Sequence, residues 1–363
     1  MITINGLQVF KKFGLYDEVM RNGQTVNVNS TMCRIDGKQI ANFKIPEGDF
    51  CCIMRAALHR ILNEASARAG VKFICGKRLV QIVQESGKLG VTATFADGSA
   101  ATGDILIGAD GIRSVTRQLT CDPNGKPIYT GIRGVLGVTK LAEGDPWLSK
   151  ASISFFMDTS KQVSVNVMAV GNNLVSWNVG DHKEEEEEVE DWVPLVNFPQ
   201  EAQRLATMTS SWGLPPDVVE IIAKASRIQN VTIYDRASIK SWTTGNITLV
   251  GDAAHGMPPH LGQGTSMALE DVGVLSELLS RFPDDPHFCF IVYEKIRIAR
   301  TTKMAEMTRQ QGGAQYTKTK MQQLIGEVGI KVFAFLANRL GFKVYAYNYM
   351  DEIEKALKDT PRL

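Results

Sequence analysis

A short segment between residues 245 and 279 combines the residue types that a polar, negatively charged ligand needs. An apolar strand, residues 247–250, runs directly into Gly251 and Asp252. A carboxylate at the end of a buried strand can accept hydrogen bonds from the hydroxyl groups of a ligand, and a neighbouring glycine lets the backbone come close to it. The segment therefore predicts a ligand-binding strand end.

The same segment continues into a helix that begins at Gly264 and carries apolar residues at helical spacing. The first N–H groups of a helix have no acceptor within it, and its dipole is positive at that end, so an anion is stabilised there. An ordinary strand, loop and helix with a solvated aspartate is the alternative. The residues predicted to bind the ligand are Gly251, Asp252, Gly262, Gln263, Gly264 and Thr265.

The string G-D-A-A-H-x-x-x-P-x-x-G-Q-G-x-x-x-A-x-E-D, from Gly251 to Asp271, resembles the flavin-contacting motif of the single-component FAD-dependent aromatic hydroxylases. That family includes salicylate hydroxylase and many fungal polyketide and terpenoid monooxygenases. The resemblance implies an α/β (α+β) fold, with a Rossmann-like FAD-binding domain, an inserted β-sheet substrate domain and C-terminal helices. It also implies that the residues of the motif bind FAD, and His255 is expected to order the loop.

A second string, G-A-D-G-x-x-S-x-x-R from Gly108 to Arg117, is similar to the second fingerprint of this family. Asp110 is accordingly predicted to bind the cofactor. A strand that ends on Asp-Gly, followed by a helix with Arg113 and Arg117, suits the phosphates of FAD or NADPH. The alternative for Asp110 is a cap of the following helix, and the two roles are compatible.

Two arginines match the family less closely. Arg55 follows Met54, where the family usually has a histidine, and the resemblance places this arginine beside the flavin. Arg133 lies where the family often has W-R-G facing the substrate, which makes it a candidate catalytic residue. A surface helix residue and a solvated strand residue are the respective alternatives. Arg297 and Arg300 are expected to form structural ion pairs.

The sequence contains no G-x-G-x-x-G turn with an acid about 20 residues beyond it, which an FAD-binding domain of this type should have. Met1 onward is instead similar to the family segment that follows this unit, so an N-terminally truncated domain is expected. The predicted organisation is residues 1–120 as the remainder of the FAD-binding domain, 121–240 as the substrate domain, 241–310 as the return to the FAD-binding domain and 311–363 as a helical segment.

Periodicity predicts the supporting elements. One amphipathic helix is expected over residues 5–19, a hairpin over 25–43, strands at 71–75, 80–85, 91–95 and 100–107 with turns at 86–87 and 97–98, and a substrate-covering sheet over 128–179. The acidic run 184–191 is expected to be a solvated loop and helix start.

Composition describes an ordinary globular chain of 363 residues with 44% hydrophobic residues and a formal net charge of +1. Nothing in it points to nucleic acid. The six cysteines and five histidines show no ligand spacing, so no disulfide framework and no metal site are expected, and a reducing, cytoplasmic compartment fits. The apolar segment 328–336 is interrupted by Lys331 and is too short to span a bilayer, so membrane anchoring is not expected.

The resemblance implies reduction of FAD by NADPH or NADH, reaction with O2 to a flavin C4a-hydroperoxide, and hydroxylation or epoxidation of a small hydrophobic aromatic, polyketide or terpenoid substrate. The cofactor would carry the chemistry and the protein would supply position and dryness. Two alternatives stay open. One is an inactive remnant or interaction protein that binds FAD weakly or not at all, and the other is a flavin oxidoreductase of the same fold that does not oxygenate. The halogenase signature W-x-W-x-I-P is absent.

Overall fold

The structure is a computed structural model that describes residues 1–25, 29–44, 48, 50–84, 90–149, 153–182, 194–314, 320–340 and 345–361. Strands and helices alternate irregularly along the chain. The strands are β1 (Ile2–Thr3), β2 (Gln24–Thr25), β3 (Asn29–Arg34), β4 (Gln39–Lys44), β5 (Phe50–Cys52), β6 (Leu79–Gln84), β7 (Val91–Phe95), β8 (Ala100–Gly103), β9 (Leu106–Gly108), β10 (Ile128–Lys140), β11 (Ile153–Asp158), β12 (Val163–Ala169), β13 (Leu174–His182), β14 (Ala225–Asp235) and β15 (Ile247–Leu249). The helices are α1 (Ile4–Lys12), α2 (Tyr16–Asn22), α3 (Arg55–Arg68), α4 (Val115–Leu119), α5 (Pro146–Ser149), α6 (Phe198–Ser211), α7 (Pro216–Ala223), α8 (Asp252–His255), α9 (Gly264–Arg281), α10 (Pro286–Ala314), α11 (Lys320–Leu340) and α12 (Tyr349–Lys358).

Contacts between Cα atoms divide the chain into two compact units, each assembled from three segments of sequence. The first unit contains Met1–Asn63, Tyr129–Ile233 and Gln311–Ala346. The second unit contains Glu64–Ile128, Tyr234–Gln310 and Tyr347–Leu363. The four-segment division predicted from the sequence stays a prediction.

The first unit is built on a seven-stranded sheet with the order β14-β10-β13-β12-β11-β3-β4. Its central strands are antiparallel, and β11 runs parallel to β3. Alternate residues of β12 and β13 are buried, as expected when one face of a sheet covers a core. That face packs against α6 and α7 in the largest apolar cluster of the unit. The predicted sheet over residues 128–179 is confirmed where the structure describes it.

Trp177 lies at the centre of this cluster and is 1% exposed. Its indole N–H donates to Thr139 Oγ1 at 3.0 Å, and the Thr139 hydroxyl donates to the carbonyl of Ile221 in α7 at 2.6 Å. Gly137 lies opposite Trp177 in the neighbouring strand, and a Cβ on this glycine would overlap the indole ring. The bulky ring therefore requires a residue without a side chain at position 137.

The helix α11 packs on one edge of the same sheet. Ala334 and Ala337 contact Ile40, Ala41 and Phe43 of β4. Polar contacts fix the helix at both ends of this seam: Arg34 donates to both carboxylate oxygens of Glu327 at 2.6 and 2.7 Å, and Asn338 exchanges hydrogen bonds with the backbone at Asn42 and Lys44.

The second unit contains a parallel pair, β15 and β9, and an antiparallel sheet of β6, β7 and β8. Gln84 at the end of β6 joins the sheet to the pair, because its side chain accepts from the N–H of Asn246 and donates to the carbonyl of Thr244. The long helices α9 and α10 belong to this unit, and α12 packs on α9.

Three predicted elements differ from the structure. The strand expected over residues 100–107 is two strands, β8 and β9, which belong to different sheets. The helix expected over residues 5–19 is two helices, α1 and α2, because Gly14 adopts φ +69° between them. Residues 71–75, expected to form a strand, have no strand pairing, and Phe73 and Ile74 are 60% and 68% exposed. An extended segment becomes a strand only beside a partner, and the described residues provide none there.

The predicted hairpin of residues 25–43 is confirmed as β3 and β4, with the Asp36 side chain accepting from the N–H of Lys38 in the turn. The parts of this prediction at residues 26 and 28, the predicted turn at 86–87 and the acidic run at 184–191 lie outside the described residues. Across the ranges that the structure describes, no helix is both long enough and apolar enough to cross a bilayer.

The variant Gly137→Ala should destabilise the protein. Because the added methyl group overlaps the buried ring of Trp177, we expect a loss of about 2–3 kcal/mol in the free energy of unfolding, measured by urea denaturation. Gly329→Ala is the control, since a Cβ at this exposed position of α11 meets no atom within 4 Å and should stabilise the helix by about 0.5–1 kcal/mol. Equal effects of the two substitutions would contradict the packing described here.

Candidate functional site

Both sequence motifs begin at the same end of one parallel strand pair. Leu249 of β15 lies opposite Gly108 of β9, and the N–H of Val250 donates to the Gly108 carbonyl at 2.9 Å. Two residues beyond each of these positions the chain leaves the sheet, at Gly251 and at Asp110. The carboxyl ends of parallel strands are the usual ligand edge of an open α/β sheet. The structure thus brings the two motifs together at such an edge.

Gly251 turns the chain from β15 into α8 with φ +60° and ψ −142°. A residue with a side chain rarely adopts this conformation, and a Cβ here would also lie 3.3 Å from the Cβ of Ala268 in α9. Asp252 follows as the first residue of α8, and its side chain is exposed. The glycine is therefore required for the turn that presents the Asp252 carboxylate.

One carboxylate of α9 fixes this turn. Asp271 Oδ2 accepts from the N–H of Gly251 at 2.8 Å and lies 2.6 Å from Nε2 of His255. Its other oxygen, Oδ1, accepts from Nε of Arg297 at 2.8 Å. All of these groups are buried. The prediction that His255 orders the loop therefore agrees with its contact to Asp271.

Asp271 remains charged although it has no contact with solvent. Burial alone would raise the pKa of its carboxyl group, but the neighbouring His255 and Arg297, together with the hydrogen bonds from His255 and Gly251, lower the pKa below its ordinary value. For Arg297, burial opposes the charged form, and the carboxylates of Glu270 and Asp271 more than offset it, so that its pKa is raised. The pair is held as two charges that stabilise each other.

The network extends from α9 to α10 through a second carboxylate. Glu270 accepts from both Arg297 and Arg300, and the guanidinium of Arg300 lies 3.6 Å from the centre of the Tyr347 ring. The expectation that these two arginines form structural ion pairs is confirmed. In the same helix, the Tyr293 hydroxyl donates to the carbonyl of Leu249 at 2.9 Å, and burial raises its pKa well above the ordinary value.

Arg117 fixes the loop from its opposite side. It is fully buried, pairs with Asp122 at 2.8 Å, and donates to the carbonyls of Ala254 at 3.0 Å and Ala237 at 2.7 Å. The prediction that Arg117 contributes to an anion pocket is wrong, because the side chain is fully buried and its donors are used by Asp122 and by carbonyls in α8 and just after β14. Arg113 is exposed and lies over the Tyr234 ring.

Asp110 serves the helix that follows it. Its carboxylate accepts from the Ser114 hydroxyl at 2.5 Å, the Thr116 N–H at 2.9 Å and the Thr116 hydroxyl at 3.1 Å. Asp110 thus supports the start of α4, whose N-cap residue is Ser114. A role in cofactor binding is compatible with it, since Asp110 is exposed to solvent, and stays a prediction.

The start of α9 leaves room for a ligand. Gly262 adopts a left-handed conformation with φ +61°, Gln263 is buried, and Thr265 is exposed. A Cβ placed on Gly264 would meet no atom within 4 Å outside its own helical turn. Burial lowers the pKa of His260 in the preceding turn, which keeps this imidazole neutral at neutral pH. A negatively charged ligand has room to approach the N-terminus of α9 at Gly264.

Two predicted site residues belong to the first unit. Arg55 is the exposed first residue of α3, and Arg133 lies in β10 opposite Asp181 of β13. An opposite charge directly across a strand pair is a common stabilising contact. Their proposed roles beside the flavin and the substrate stay predictions.

Sequence reasoning missed how Asp271, Glu270 and Arg117 act on the loop. Their positions were visible at the ends of the two motifs, but only the fold shows their contacts. Asp271 accepts from the N–H of Gly251, Glu270 pairs with Arg297 and Arg300, and Arg117 donates to the carbonyl of Ala254 in α8. No cluster of residues suited to a metal ion occurs in the ranges that the structure describes.

The geometry fits one class of ligand. A glycine turn that lets backbone approach, an exposed carboxylate for hydroxyl groups and an open helix N-terminus for an anion are the features that hold a dinucleotide cofactor. The fold and this site define a nucleotide-cofactor-binding protein of the open α/β type.

Comparison with known proteins identifies the cofactor. Residues 2–284 match the FAD binding domain family. The chain is 28% identical to 3-amino-4-hydroxybenzoate 2-monooxygenase PtmB3 of Streptomyces platensis over 321 residues, which covers 86% of this chain and 77% of that protein. The chain belongs to this FAD binding domain family, the family of the FAD-dependent aromatic hydroxylases and monooxygenases, and FAD is its cofactor.

Solved structures share the fold. A salicylate hydroxylase substrate complex superposes with a TM-score of 0.75 at 22% identity, covering 100% of this chain and 90% of that one. Klebsiella pneumoniae HpxO complexed with FAD and uric acid gives a TM-score of 0.74 at 22% identity, covering 98% and 85%. The expected fold class is confirmed.

The variant Asp271→Asn should lower the free energy of unfolding at neutral pH by about 3 kcal/mol, because it leaves Arg297 with an incomplete set of buried counter-charges. The pKa of Asp271 is lower in the folded chain than in the unfolded chain. Its stabilising contribution is therefore fully present above about pH 4 and is lost as the pH falls through the folded value.

Urea denaturation of the two proteins between neutral and acid pH measures this difference. The gap between them should be constant near neutrality and close in acid. Asp284→Asn, at an exposed aspartate after α9, is the matched control and should change little. A gap that persists unchanged at the lowest pH would rule out the charged state assigned to Asp271.

Proposed function

We propose that this protein is an FAD-dependent monooxygenase that uses NADPH or NADH and O2 to hydroxylate or epoxidise a small hydrophobic aromatic, polyketide-like or terpenoid-like substrate. The observation that carries this proposal is the shared strand edge, where the Gly251 turn, the Asp252 carboxylate and the open start of α9 meet the requirements of a flavin nucleotide. The name of the Streptomyces relative, a monooxygenase of an aminohydroxybenzoate, supports an aromatic substrate.

Each residue of the edge has a distinct part in this proposal. Asp252 accepts hydrogen bonds from hydroxyl groups of the cofactor, and Gly251 and Gly264 allow its close approach. The first turn of α9, with Gln263 and Thr265, supplies N–H donors and the positive end of the dipole to the electron-rich edge of the flavin ring. Asp110 contributes from the second motif. Arg55 and Arg133 are proposed to contact the cofactor and the substrate, respectively.

When bound, FAD would take two electrons from NAD(P)H and would supply the chemistry that places one oxygen atom of O2 on the substrate, with the other leaving as water. The side chains of this chain position the cofactor and stabilise charge on it. No nucleophile or general base is assigned among them. A dry, fixed site is the contribution expected of the protein in such chemistry.

A reducing, cytoplasmic compartment is part of the proposal. All six cysteines are free thiols, and four of them are buried. Burial raises the pKa of the Cys51 thiol to about 12, so this group is inert toward oxidation at neutral pH.

The test begins with the cofactor. FAD fluorescence is titrated with the full chain, and saturable quenching in the micromolar range is expected. The loaded protein is then mixed separately with NADPH and NADH, and oxidation of each is followed together with O2 uptake and product formation on hydroxybenzoates. Binding without substrate-dependent oxygen uptake would favour a flavin oxidoreductase that does not oxygenate. Absence of binding would favour an inactive remnant or interaction protein.

The variant Asp252→Ala should weaken FAD binding. Loss of hydrogen bonds to a charged acceptor is expected to raise the dissociation constant about 10- to 100-fold. Because the side chain is exposed and lies in the first turn of α8, the free energy of unfolding without FAD should fall by no more than about 1 kcal/mol. Asp284→Ala is the matched control, and an equal loss of affinity in both variants would contradict the assignment of Asp252.

The variant Gly264→Ala separates ligand approach from folding. The added methyl group meets no atom of the protein, so the free energy of unfolding should stay the same or rise slightly. A bound flavin would meet this methyl group, and the dissociation constant for FAD should increase about tenfold. Unchanged affinity would show that the cofactor does not approach the start of α9.

A further inference from the structure

The helix α11 is apolar on two opposite faces, and the described residues cover only one of them. Its packed face places Ala334 and Ala337 on β4, as described above. The opposite face follows a spacing of three or four residues, which is one continuous stripe along a helix. That stripe consists of Met321, Leu324, Ile325, Val328, Val332, Phe335 and Leu336, which are between 46% and 68% exposed.

The stripe is large for a surface feature. With Phe333 at its border, the exposed apolar area is on the order of 800 Å², taking a fully exposed side chain of this size as about 180 Å². The largest apolar patch on a typical monomer is about 300–600 Å², and larger ones mark sites of protein or membrane contact. A helix that is apolar on opposite faces is normally covered on both of them.

The charges around the stripe select its partner. Among the exposed side chains of α11 that the structure describes, the charged ones are Lys331 and Arg339, both cationic. The acidic residue of the helix, Glu327, is on the packed side and paired with Arg34. The guanidinium of Arg339 lies 5.3 Å from the centre of the Phe335 ring, so a cation borders an aromatic group of the stripe.

The exposed face of α11 combines apolar residues with cations and has no exposed acid among its described residues. It therefore suits a partner with an apolar interior and an anionic outer layer. Anionic phospholipid bilayers have this arrangement, and helices that lie in the membrane interface carry phenylalanine and leucine on one side and lysine or arginine beside them. A second copy of the chain fits less well. Two such faces would bring cations together without an acid to pair with them.

We propose that the exposed face of α11 docks the protein on an anionic lipid surface, with the helix lying in the plane of the interface. The seam with β4 keeps the stripe pointed away from the sheet, because Glu327 and Asn338 fix the helix near its two ends. The helix binds the surface and does not cross it. A helix that lies in the interface does not need the long apolar run that a helix crossing the bilayer needs.

The experiment is co-sedimentation of the full chain with vesicles of phosphatidylcholine alone and of phosphatidylcholine mixed with phosphatidylserine. Binding to the mixed vesicles that weakens with added salt is expected. The double variant Lys331→Glu with Arg339→Glu should bind at least about tenfold more weakly, whereas Lys358→Glu, at an exposed lysine of α12, should bind as the original protein does. Equal binding of all three proteins would overturn the proposal.

Insertion of the apolar stripe has its own readout. Tryptophan introduced as Leu324→Trp should be quenched by brominated lipid, and Ile291→Trp, at an exposed position of α10, should not be. The substituted side chains are at least partly exposed, and unchanged thermal midpoints would verify folding.

Light scattering distinguishes the competing partner. The proposal would be overturned if the protein did not bind mixed vesicles and formed a dimer that Leu324→Asp converted to a monomer. The exposed face of α11 would then be assigned to contact with a second copy of the chain.

Discussion

The candidate site depends on one buried carboxylate, that of Asp271. It holds the N–H of a glycine in a conformation that other residues rarely adopt, and it contacts His255 in the same loop. A backbone turn with a positive φ is stable only when its surroundings determine it. Asp271 holds the Gly251 turn in this conformation from α9, the helix whose N-terminus is itself part of the site. A few hydrogen bonds thereby fix β15, the Gly251 turn and α9 relative to one another.

Buried arginines then fix this arrangement from both sides. Arg297 neutralises Asp271 from α10, and Arg117 donates to the carbonyl of Ala254 within α8. Each arginine donates to several acceptors at once, which suits a planar guanidinium with five N–H groups and would not suit lysine. The cost of burying these charges is met by near-complete pairing of the groups around Asp271. The result is a rigid edge that places an exposed carboxylate, Asp252, beside an open helix end.

The local features of the site could be predicted from the sequence. A strand that runs into Gly-Asp and a glycine that begins a helix are signals of spacing and residue type, and the structure places Gly251, Asp252 and Gly264 as these signals indicate. The backbone contacts of Arg117 could not be predicted, because Ala237 and Ala254 are more than a hundred residues away along the chain. The failed strand at residues 71–75 has a related cause: an apolar extended segment predicts a strand, but pairing requires a neighbour that periodicity does not reveal.

The register of the strand pair has a consequence for how the site forms. Leu106 pairs with Ile247, 141 positions later in the chain, and most of the first unit's sheet lies between them. Contacts between distant residues cost loop-closure entropy before they stabilise anything, and they slow folding. Forming the edge that presents Gly251 and Asp110 therefore carries a loop-closure cost that contacts between neighbouring segments do not carry. During synthesis, Asp110 emerges from the ribosome long before β15, so the cofactor edge is completed only after the intervening strands have been made.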